Sequence, residues 1–385
     1  MKKKKNGKGI LKGLLIALNL VVAVPLLLAF LAQYVPPSVS SVCTFCGLAF
    51  PYLLYANFIF VIVWLIINYR LALISVILIL LNINNIDRHY QFRATEIPEP
   101  CVNCVKVLSY NVKLFGVYDN DDEPVTGAKK QKIFDFVAEE RPEIVCFQEY
   151  FYENSKKIDF PTTDTLVKIL NLDENTRHYY QYFPTNLRDE YFYGLAIFTK
   201  YRILDAGPVE MSEASSNAAI FVDIKFKRDT IRIYNVHLAS IHMDKTDYET
   251  SKKFSNHEED PDFNRNARAI YRKLSAAFEH RQKQVEAICA HIDSCTHPII
   301  LCGDFNDTPA SYSYNKIASK LKDTFRKSGS GMGTTYNGDA VPAYRIDYIL
   351  HDNAYRSYGH RVVKNVDVSD HYPVISTISL QKSDL

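Results

Sequence analysis

The first 90 residues alternate between long apolar runs and short polar breaks. Residues 13–32 and 48–68 contain no charged side chain, and a helix of about 20 residues spans the roughly 30 Å hydrocarbon core of a bilayer. A third apolar run, residues 71–81, reaches spanning length only if it continues through three asparagines to Ile86, tilted or in a thinned bilayer. The predicted transmembrane segments are residues 13–32, 48–68 and 71–86.

Trp64 and Tyr69 lie near the end of the second run, where we expect interfacial anchors. The alternative to transmembrane segments is a cleaved signal peptide followed by a buried core helix. The first run is long for a signal peptide and no A-x-A cleavage site follows it, so transmembrane segments are favoured.

Six lysines among residues 1–12 predict that this basic tip stays in the cytoplasm. Three spans then place the chain beyond about residue 90 on the extracytoplasmic side, as expected of a multi-pass membrane protein. If the third run is only a surface helix, the same region faces the cytoplasm. The sequence favours three spans and leaves the second arrangement open.

Two C-x-x-C pairs accompany these segments. Cys43 and Cys46 lie between the first two segments, and Cys101 and Cys104 follow the third. With three spans both pairs face the outer side, where disulfides can form. Free thiols and a zinc site are the alternatives, although the distance between the pairs is not a zinc-finger spacing.

Beyond a predicted linker at residues 91–103, the pattern changes to short strands and amphipathic helices over a predicted domain at residues 104–385. Helical spacing predicts helices at residues 129–140 and 265–292. Strand patterns occur at residues 105–110, 144–147, 193–200, 218–226, 230–236, 299–302, 344–350, 361–366 and 374–380. Because strands and helices mix without strict βαβ alternation, we expect an α/β fold with two packed, mostly antiparallel sheets flanked by helices.

The net charge of +2 averages two different regions. Without the six N-terminal lysines, 39 basic residues stand against 43 acidic ones, a net charge of −4. Residues 87–385 carry −5, because Arg70 is the one charged residue between positions 13 and 86. A protein that binds nucleic acid by neutralising phosphates usually has the opposite sign over its domain.

Polar side chains end one predicted strand after another, where the backbone would hold them firmly. They are Asn111, Glu149, Asn235, His237, Asp304, Asn306, Asp347, Asp370 and His371. Carboxylate and amide oxygens with few thiols suit Mg²⁺ or Mn²⁺ better than zinc. Alone, each has a structural alternative: Asp304 could form the turn after Gly303, and a single histidine is more often structural. Their joint occurrence favours a metal-dependent site.

The motifs SYNV, FQE, GLAIFTK, NVHL, GDFND, RIDYIL and SDHYP, in this order, resemble those of the endonuclease/exonuclease/phosphatase superfamily, over about residues 104–382. The superfamily includes pancreatic-type DNase, abasic-site endonucleases, inositol-polyphosphate 5-phosphatases and neutral sphingomyelinases. The resemblance implies a four-layer α/β sandwich that hydrolyses phosphate esters with a divalent metal, Mg²⁺ or Mn²⁺. It also implies an active enzyme, because every motif position carries the expected residue type.

The resemblance assigns roles to the matching positions. Glu149 would be the principal metal ligand, and Asn111 would contact both the metal and the phosphate. Asp304 and Asp370 would complete the metal contacts. The implied catalytic residues are His237, Asp304, Asn306, Asp347 and His371.

Among these, Asp304 would orient or deprotonate the attacking water, and Asn306 would hold that water or a phosphate oxygen. Asp347 would fix the tautomer of His371, which would contact phosphate or act as the base with a raised pKa. His237 would bind phosphate or assist the leaving oxygen.

The substrate is left open, because fold does not decide it. A phospholipid or lipid-linked phosphoester is favoured by the membrane segments and the acidic domain, whereas the family favours DNA or RNA. Aromatic residues 150–152 and 191–193 could face lipid but are more often core residues. Loop 239–262 could cover the site or be a solvated insertion, and 329–338 matches a substrate-facing loop of relatives. A silent membrane scaffold is the remaining alternative, which the intact motifs disfavour.

Overall fold

The structure is a computed structural model with two compact units. The helical unit comprises Met1–His89 and Asp307–Asn315, and the sandwich unit comprises Tyr90–Asn306 and Lys316–Leu385. The described residues are 2–118, 127–155, 160–173, 175–211, 217–241, 263–338 and 344–381. The domain bounds expected from the sequence stay predictions.

Helices make up the N-terminal region: α1 (Lys2–Ala32), α2 (Ser41–Leu48), α3 (Phe50–Ile67), α4 (Tyr69–Leu81) and α5 (Ile83–His89). Gly9–Ala32 of α1 and all of α3 are long and apolar enough to cross a membrane. Helices α4 and α5 meet at a bend of 57° and would form a third span only together. The described residues thus offer two candidate spans, or three with this bent pair.

The predicted third segment is therefore not one straight helix, because it breaks at Asn82. The side chain of Asn82 donates to the carbonyl oxygens of Leu78 (3.0 Å) and Leu26 (3.4 Å). An asparagine whose amide hydrogen-bonds to the backbone in this way favours helix ends over helix interiors. The break thus follows from one of the asparagines that interrupt the apolar run.

A chain of hydrogen bonds joins α1, α3 and α4 in the interior of the helical unit. Asn19 donates to Ser75 (3.0 Å), and Ser75 donates to Asn57 (2.9 Å). The indole nitrogen of Trp64 donates to Asn19 (2.9 Å), and Trp64 is fully buried. The prediction of Trp64 as an interfacial anchor is wrong, because its polar edge has an interior partner. Tyr69 is exposed.

One of the two C-x-x-C pairs forms a disulfide. Cys101 and Cys104 are joined directly before the first strand. Cys43 and Cys46 lie in α2 as free thiols, Cys43 buried and Cys46 partly buried. The two pairs therefore differ in state, although the sequence treats them alike.

Two six-stranded mixed sheets form the sandwich unit. The first has the order β11 (Arg356–Val362), β12 (Val374–Ser379), β1 (Cys104–Asn111), β2 (Ile144–Glu153), β4 (Tyr191–Thr199), β3 (Tyr179–Leu187). The second has the order β5 (Ile203–Pro208), β6 (Ala219–Phe226), β7 (Asp229–His237), β8 (Ile299–Asp304), β10 (Asp347–His351), β9 (Lys322–Asp323). Within these sheets the pairs β1–β2 and β7–β8 are parallel and the others antiparallel.

Aliphatic side chains from both sheets, such as Val107 and Ile300, pack in one buried core. On the outer face of the first sheet, α6 (Ala128–Glu140) buries its apolar face in a second core. Helix α8 (Phe263–Ser294) flanks the second sheet, where His291 hydrogen-bonds to Tyr234 of β7. Shorter helices are α7 (Thr163–Ile169), α9 (Tyr312–Ala318) and α10 (Thr324–Ser328). The predicted four-layer α/β sandwich of mostly antiparallel sheets is confirmed.

Several predicted strands have other limits. Strands β3, β5 and β9 are additional, and β11 begins five residues before the predicted position 361. Strand β2 does not end at residue 147 but continues to Glu153 past a register shift between Phe147 and Tyr150. This β-bulge matters for function, because Glu149 lies in it.

Candidate active site

Three strands of the second sheet bring acidic and imidazole side chains together at one sheet edge. Asp304 ends β8, and the strand register pairs it with His237 of parallel β7 and with Asp347 of antiparallel β10. The side chain of Asp304 is fully buried, and His237 is 3.6 Å from it between Nε2 and Oδ2. Three consecutive neighbouring strand ends thus each contribute one polar side chain.

Asn111 connects this group to the first sheet. Its side-chain nitrogen donates to Asp304 Oδ2 and to Glu149 Oε1, each at 3.1 Å. Glu149 has a left-handed backbone (φ 50°) in the bulge of β2, and its Oε1 lies 3.9 Å from Nε2 of His237. A positive φ is uncommon for a glutamate and marks a conformation held by its surroundings.

His371 is oriented by Asp347. Its Nδ1 lies 2.9 Å from Asp347 Oδ2 and must carry the proton, because a carboxylate only accepts. Its Nε2 lies 3.7 Å from Asp304 Oδ2. Ser369 fixes the backbone here, since its hydroxyl donates to the Asn111 carbonyl (2.8 Å) and accepts from the His371 amide (3.1 Å).

Charge and burial oppose each other at His371 and Asp304. Burial alone would lower the pKa of His371, but the carboxylates of Asp347 and Asp304 outweigh it and raise this pKa to about 10. Burial raises the pKa of Asp304 to about 6, although His371 acts in the opposite direction. Burial also raises the pKa of Glu149, against the hydrogen bond from Asn111. The site therefore holds carboxylates that are costly to ionise without a cation.

The turn after β8 holds Asn306 in place. Gly303 has a φ of 151°, and a Cβ there would collide with the carbonyl of Val236, so only glycine fits. Asn306, at a φ of 51°, donates from its amide to Asp304 Oδ1 (2.8 Å) and from its side chain to the Leu238 carbonyl (3.0 Å). Arg281 of α8, fully buried, donates to the carbonyl of Asn306.

Asp370 lies apart from this group. Its half-buried carboxylate is 3.7 Å from Nζ of Lys113, and Lys113 itself donates its amide to Asn111 (3.1 Å). The structure therefore brings together Asn111, Glu149, His237, Asp304, Asn306, Asp347 and His371, with Asp370 and Lys113 at the rim. The role of Asp370 as a metal contact stays a prediction. Sequence reasoning missed Lys113, whose one available sign is its position two residues after Asn111.

Asn235 connects β7 to the strands of the first sheet next to the site. It accepts a hydrogen bond from Gln148 (2.6 Å) and donates to the carbonyls of Phe147 (2.8 Å) and Ala196 (3.0 Å). All four residues are fully buried. The amide therefore fixes the distance between β7 and the bulge that carries Glu149.

A divalent cation fits the donor set. Ligand atoms of Asp304, Asp347 and His371 lie within 4.8 Å of one another, and all three residues are buried, but His371 and Asp347 already pair with each other, which leaves Asp304 as the available ligand of the three. The side of Asp304 that faces Glu149 offers carboxylate oxygens, which hard cations prefer, and the oxygen of Asn111, which accepts from the Lys113 amide, becomes a ligand only if the side-chain amide turns over. The raised pKa values of both carboxyl groups fit a site whose charge a cation offsets.

Two mixed sheets between helices, with these side chains at the strand ends, define a metal-dependent phosphoesterase of the four-layer sandwich class. The model of the Endonuclease/Exonuclease/phosphatase family matches residues 108–371, and the chain belongs to this family. Family members are metal-dependent phosphoesterases and nucleases, and the chain is a hydrolase of phosphoric esters. A second family model, Domain of unknown function (DUF8431), matches residues 12–89.

The chain is similar to several solved structures at low sequence identity. A family member from Bacteroides vulgatus is 16% identical, with 72% of this chain and 99% of that chain covered and a TM-score of 0.49. The human Nocturnin catalytic domain with bound sulfate is 14% identical (76% and 98% covered, TM-score 0.49). A family member from Beutenbergia cavernae is 16% identical (72% of each chain, TM-score 0.49). No curated protein sequence matches the chain.

The sequence analysis also named two aromatic segments and two loops as possible substrate contacts. Aromatic residues 150–152 and 191–193 are mostly core: Tyr150 and Phe151 are buried, and Tyr152, Tyr191 and Tyr193 pack against the same cluster. Residues 242–262 of the loop 239–262 lie outside the described part of the chain. The loop 329–338 does approach the site, since the ring of Tyr336 lies 5.2 Å from that of His371.

Proposed function

We propose that the chain is a membrane-anchored phosphoesterase that uses Mg²⁺ or Mn²⁺ to hydrolyse a phospholipid or lipid-linked phosphoester. The observation that carries the reaction class is the bridge from Asn111 to both Glu149 and Asp304, beside His371. It gathers metal ligands, a base and a cationic imidazole at one sheet edge. Each of the three accelerates the hydrolysis of a phosphate ester.

Glu149 and Asn111 would hold the metal ion, with Asp304 beside them. When bound, the ion offsets the negative charge of substrate and carboxylates. Asp304 accepts a proton from, or orients, the attacking water, and the Asn306 amide keeps its Oδ1 in place.

Asp347 keeps His371 as an imidazolium whose Nε2 can donate to a phosphate oxygen. His237, opposite it across Asp304, is placed to bind phosphate or to assist the leaving oxygen.

The membrane anchor is proposed from the apolar helices. The basic tip would remain cytoplasmic, and three spans, α4 with α5 as the third, would put the sandwich unit on the extracytoplasmic side. The Cys101–Cys104 disulfide supports this orientation, because disulfides persist in oxidising compartments. A reporter fused after residue 90 tests it, and cytoplasmic reporter activity would contradict it.

A lipid-linked substrate is supported by an exposed apolar surface of the sandwich unit, formed by Tyr90, Phe92 and Met332. These side chains are 43%, 86% and 50% exposed, and Gln91 pairs with Gly331 in an antiparallel bridge between them. Tyr90 directly follows the last residue of α5, so this surface begins where the candidate spans end. Large exposed apolar side chains that follow a membrane segment closely in sequence are typical of the interfacial region.

Exposed basic residues border this surface, and the loop behind it leads to the site. Arg93 and Lys327 are exposed, and Thr95 hydrogen-bonds to the Lys327 carbonyl (3.1 Å). Basic side chains next to apolar ones suit the negatively charged phosphate groups of lipid headgroups. Four residues beyond Met332, Tyr336 bridges to His371.

The test compares substrates on the full chain in lipid nanodiscs with Mg²⁺: sphingomyelin, phosphatidylinositol phosphates, plasmid DNA and bis(4-nitrophenyl) phosphate. We expect lipid hydrolysis that Asp304→Ala abolishes. DNA nicking at physiological salt without lipid hydrolysis would replace this proposal by a nuclease function. Turnover that survives Asp304→Ala would contradict the assignment of the base.

A second comparison isolates the lipid surface. Burying a phenylalanine is worth about 1.5–3 kcal/mol, so Phe92→Ser should lower kcat/KM for the lipid by about tenfold or more. It should leave hydrolysis of the soluble diester unchanged. Leu187→Ser is the matched control, because Leu187 is 50% exposed on β3, the edge strand of the first sheet. Equal effects of both variants on the lipid substrate would contradict a specific lipid surface.

A further inference from the structure

Residues 307–315 follow the site residues Asp304 and Asn306 directly but belong to the compact unit of the N-terminal helices. This segment, Asp307–Asn315, contains Thr308, Ser313 and Tyr314, which are at most 2% exposed. Its sequence gives no apolar run that would predict such burial. Contacts with the N-terminal helices account for part of this burial.

Arg88 of α5 is the central polar partner. Its Nη2 donates to Asn315 Oδ1 (2.7 Å), and its Nη1 donates to Gln33 Oε1 (3.0 Å). The guanidinium also lies 5.3 Å from the ring centre of Tyr314, and Arg88 is buried. Asn315 completes the group by donating to the carbonyl of Gln33 (2.9 Å). A planar guanidinium can meet several acceptors in one plane, which a lysine cannot.

Close apolar packing accompanies these hydrogen bonds. Ala310 is fully buried in a cluster with Leu26, Ala29 and Phe50. Gly47 of α2 allows the approach, because a Cβ there would lie 2.8 Å from Ala32 Cβ and 3.3 Å from the Ala310 carbonyl oxygen. The segment is thus held both by the arginine group and by small side chains.

No residue intervenes between this segment and Asn306 of the site. Asn306 has a positive φ and is held by its bonds to Asp304 and Leu238, and the next peptide bond leads into Asp307. A shift of the segment would therefore be transmitted to Asn306 and to the Oδ1 of Asp304. Displacements of about 1 Å at a catalytic group cost up to about a hundredfold in rate.

We propose that Arg88 is a positioning residue that sets the geometry of Asp304 and Asn306 through residues 307–315. The N-terminal helices are then a working part of the phosphoesterase and not only its anchor. This inference rests on the proposed phosphoesterase function.

The test measures kcat and KM of the full chain in nanodiscs with bis(4-nitrophenyl) phosphate, a soluble probe that needs no lipid surface. Arg88→Ala should lower kcat by about ten- to a hundredfold and leave KM within about twofold. Arg88→Lys should restore part of kcat, because one of the two acceptors stays within reach. Arg70→Ala is the matched control, since Arg70 is exposed on α4.

Asn315→Ala removes the same hydrogen bond from the other side and keeps the arginine. Combined with Arg88→Ala, it should add little to the loss in kcat, because the hydrogen bond between Arg88 and Asn315 is already broken in either variant and the remaining bond of Asn315, to the Gln33 carbonyl, does not involve Arg88. Additive losses, or an unchanged kcat in Arg88→Ala, would overturn the proposal. If Arg88→Ala fails to fold, Asn315→Ala and Arg88→Lys decide by the same criterion.

Two structural readouts separate positioning from general instability. The chain has a single tryptophan, Trp64, so its fluorescence reports on the helical unit and should be unchanged in Arg88→Ala. Amide hydrogen exchange at residues 301–315 should increase. If the wild-type chain hydrolyses no phosphoester, the proposed function fails, but hydrogen exchange still tests whether Arg88 holds the site residues in place. Unchanged protection of residues 301–306 in Arg88→Ala would overturn the proposal.

Discussion

Buried polar side chains are arranged differently in the helical unit and in the sandwich unit. In the interior of the helical unit, Asn19, Asn57 and Ser75 are neutral and hydrogen-bond to one another in a chain. At the sheet edge of the sandwich unit, Asp304 and Asp347 are carboxylates within reach of one imidazole. The first arrangement satisfies its groups internally, whereas the second raises the pKa of Asp304 and is suited to an added cation.

The largest expected effect tests the charged group. Asp304→Asn should lower kcat by about 10³-fold, because the base is lost, while the free energy of unfolding is unchanged or higher in the absence of metal. Burial already disfavours the ionised carboxylate, so the neutral amide costs the fold little. Steady-state kinetics and thermal unfolding check both parts. Asp205→Asn on the exposed surface of β5 is the control, and marked destabilisation by Asp304→Asn would contradict this picture.

Removal of the metal ion should affect both the activity and the stability of the same site. A chelator should abolish hydrolysis, and Mg²⁺ or Mn²⁺ at one hundred times its dissociation constant should stabilise the sandwich unit by about 2.7 kcal/mol. Glu149→Gln should reduce this stabilisation, because the carboxylate with a raised pKa is the proposed principal ligand. Differential scanning calorimetry with and without metal measures it. Equal metal stabilisation of wild type and variant would exclude Glu149 as a ligand.

The pH dependence of kcat/KM should follow from the ionisation of Asp304. Asp304 must be ionised to accept a proton, and its raised pKa of about 6 shifts the acid limb of kcat/KM upward from the usual range near 4. Activity should fall about tenfold per pH unit below that limb. His371, with a pKa of about 10, stays charged over the neutral range. A bound cation favours the ionised form of Asp304, so the acid limb of kcat/KM should lie at lower pH when the metal concentration is higher. An acid limb that does not move with metal concentration would contradict direct contact between Asp304 and the metal ion.

Most site residues could be predicted because they lie at or next to the end of a predicted strand, within an ordered set of motifs. Asp304, Asp347 and His237 become neighbours through strand register alone, so their proximity follows from the strand assignment. The backbone of Glu149 could not be predicted, because its bulge depends on how β2 pairs with β4, residues distant in sequence. The predicted strand therefore ended too early at a position that matters for function.

The helical unit was harder to predict in detail. Hydropathy gave the apolar runs, but the partner of Trp64 is Asn19, 45 residues away, and no local pattern contains that pairing. The contact of Arg88 with Asn315, 227 residues away, is equally nonlocal. Periodicity identifies faces, whereas individual hydrogen bonds between distant segments depend on the packed structure.

The smallest expected effect tests the neutral chain of the helical unit. Asn57 is fully buried, donates to the carbonyls of Leu53 (2.9 Å) and Val22 (3.1 Å), and accepts from Ser75. Asn57→Leu should destabilise the helical unit by about 0.6–2 kcal/mol, because hydrogen bonds between helices in apolar surroundings contribute modestly.

Thermal unfolding followed by fluorescence of the single tryptophan measures this change selectively, since Trp64 belongs to the same chain of hydrogen bonds. The kcat of Asn57→Leu should equal that of the wild type, unlike that of Arg88→Ala. Asn84→Leu, at an exposed position of α5, is the control. A loss of kcat in Asn57→Leu as large as in Arg88→Ala would mean that any disturbance of the helices changes the geometry of the site. In that case Arg88 would have no specific positioning role that the neutral hydrogen-bonded side chains of the helical unit lack.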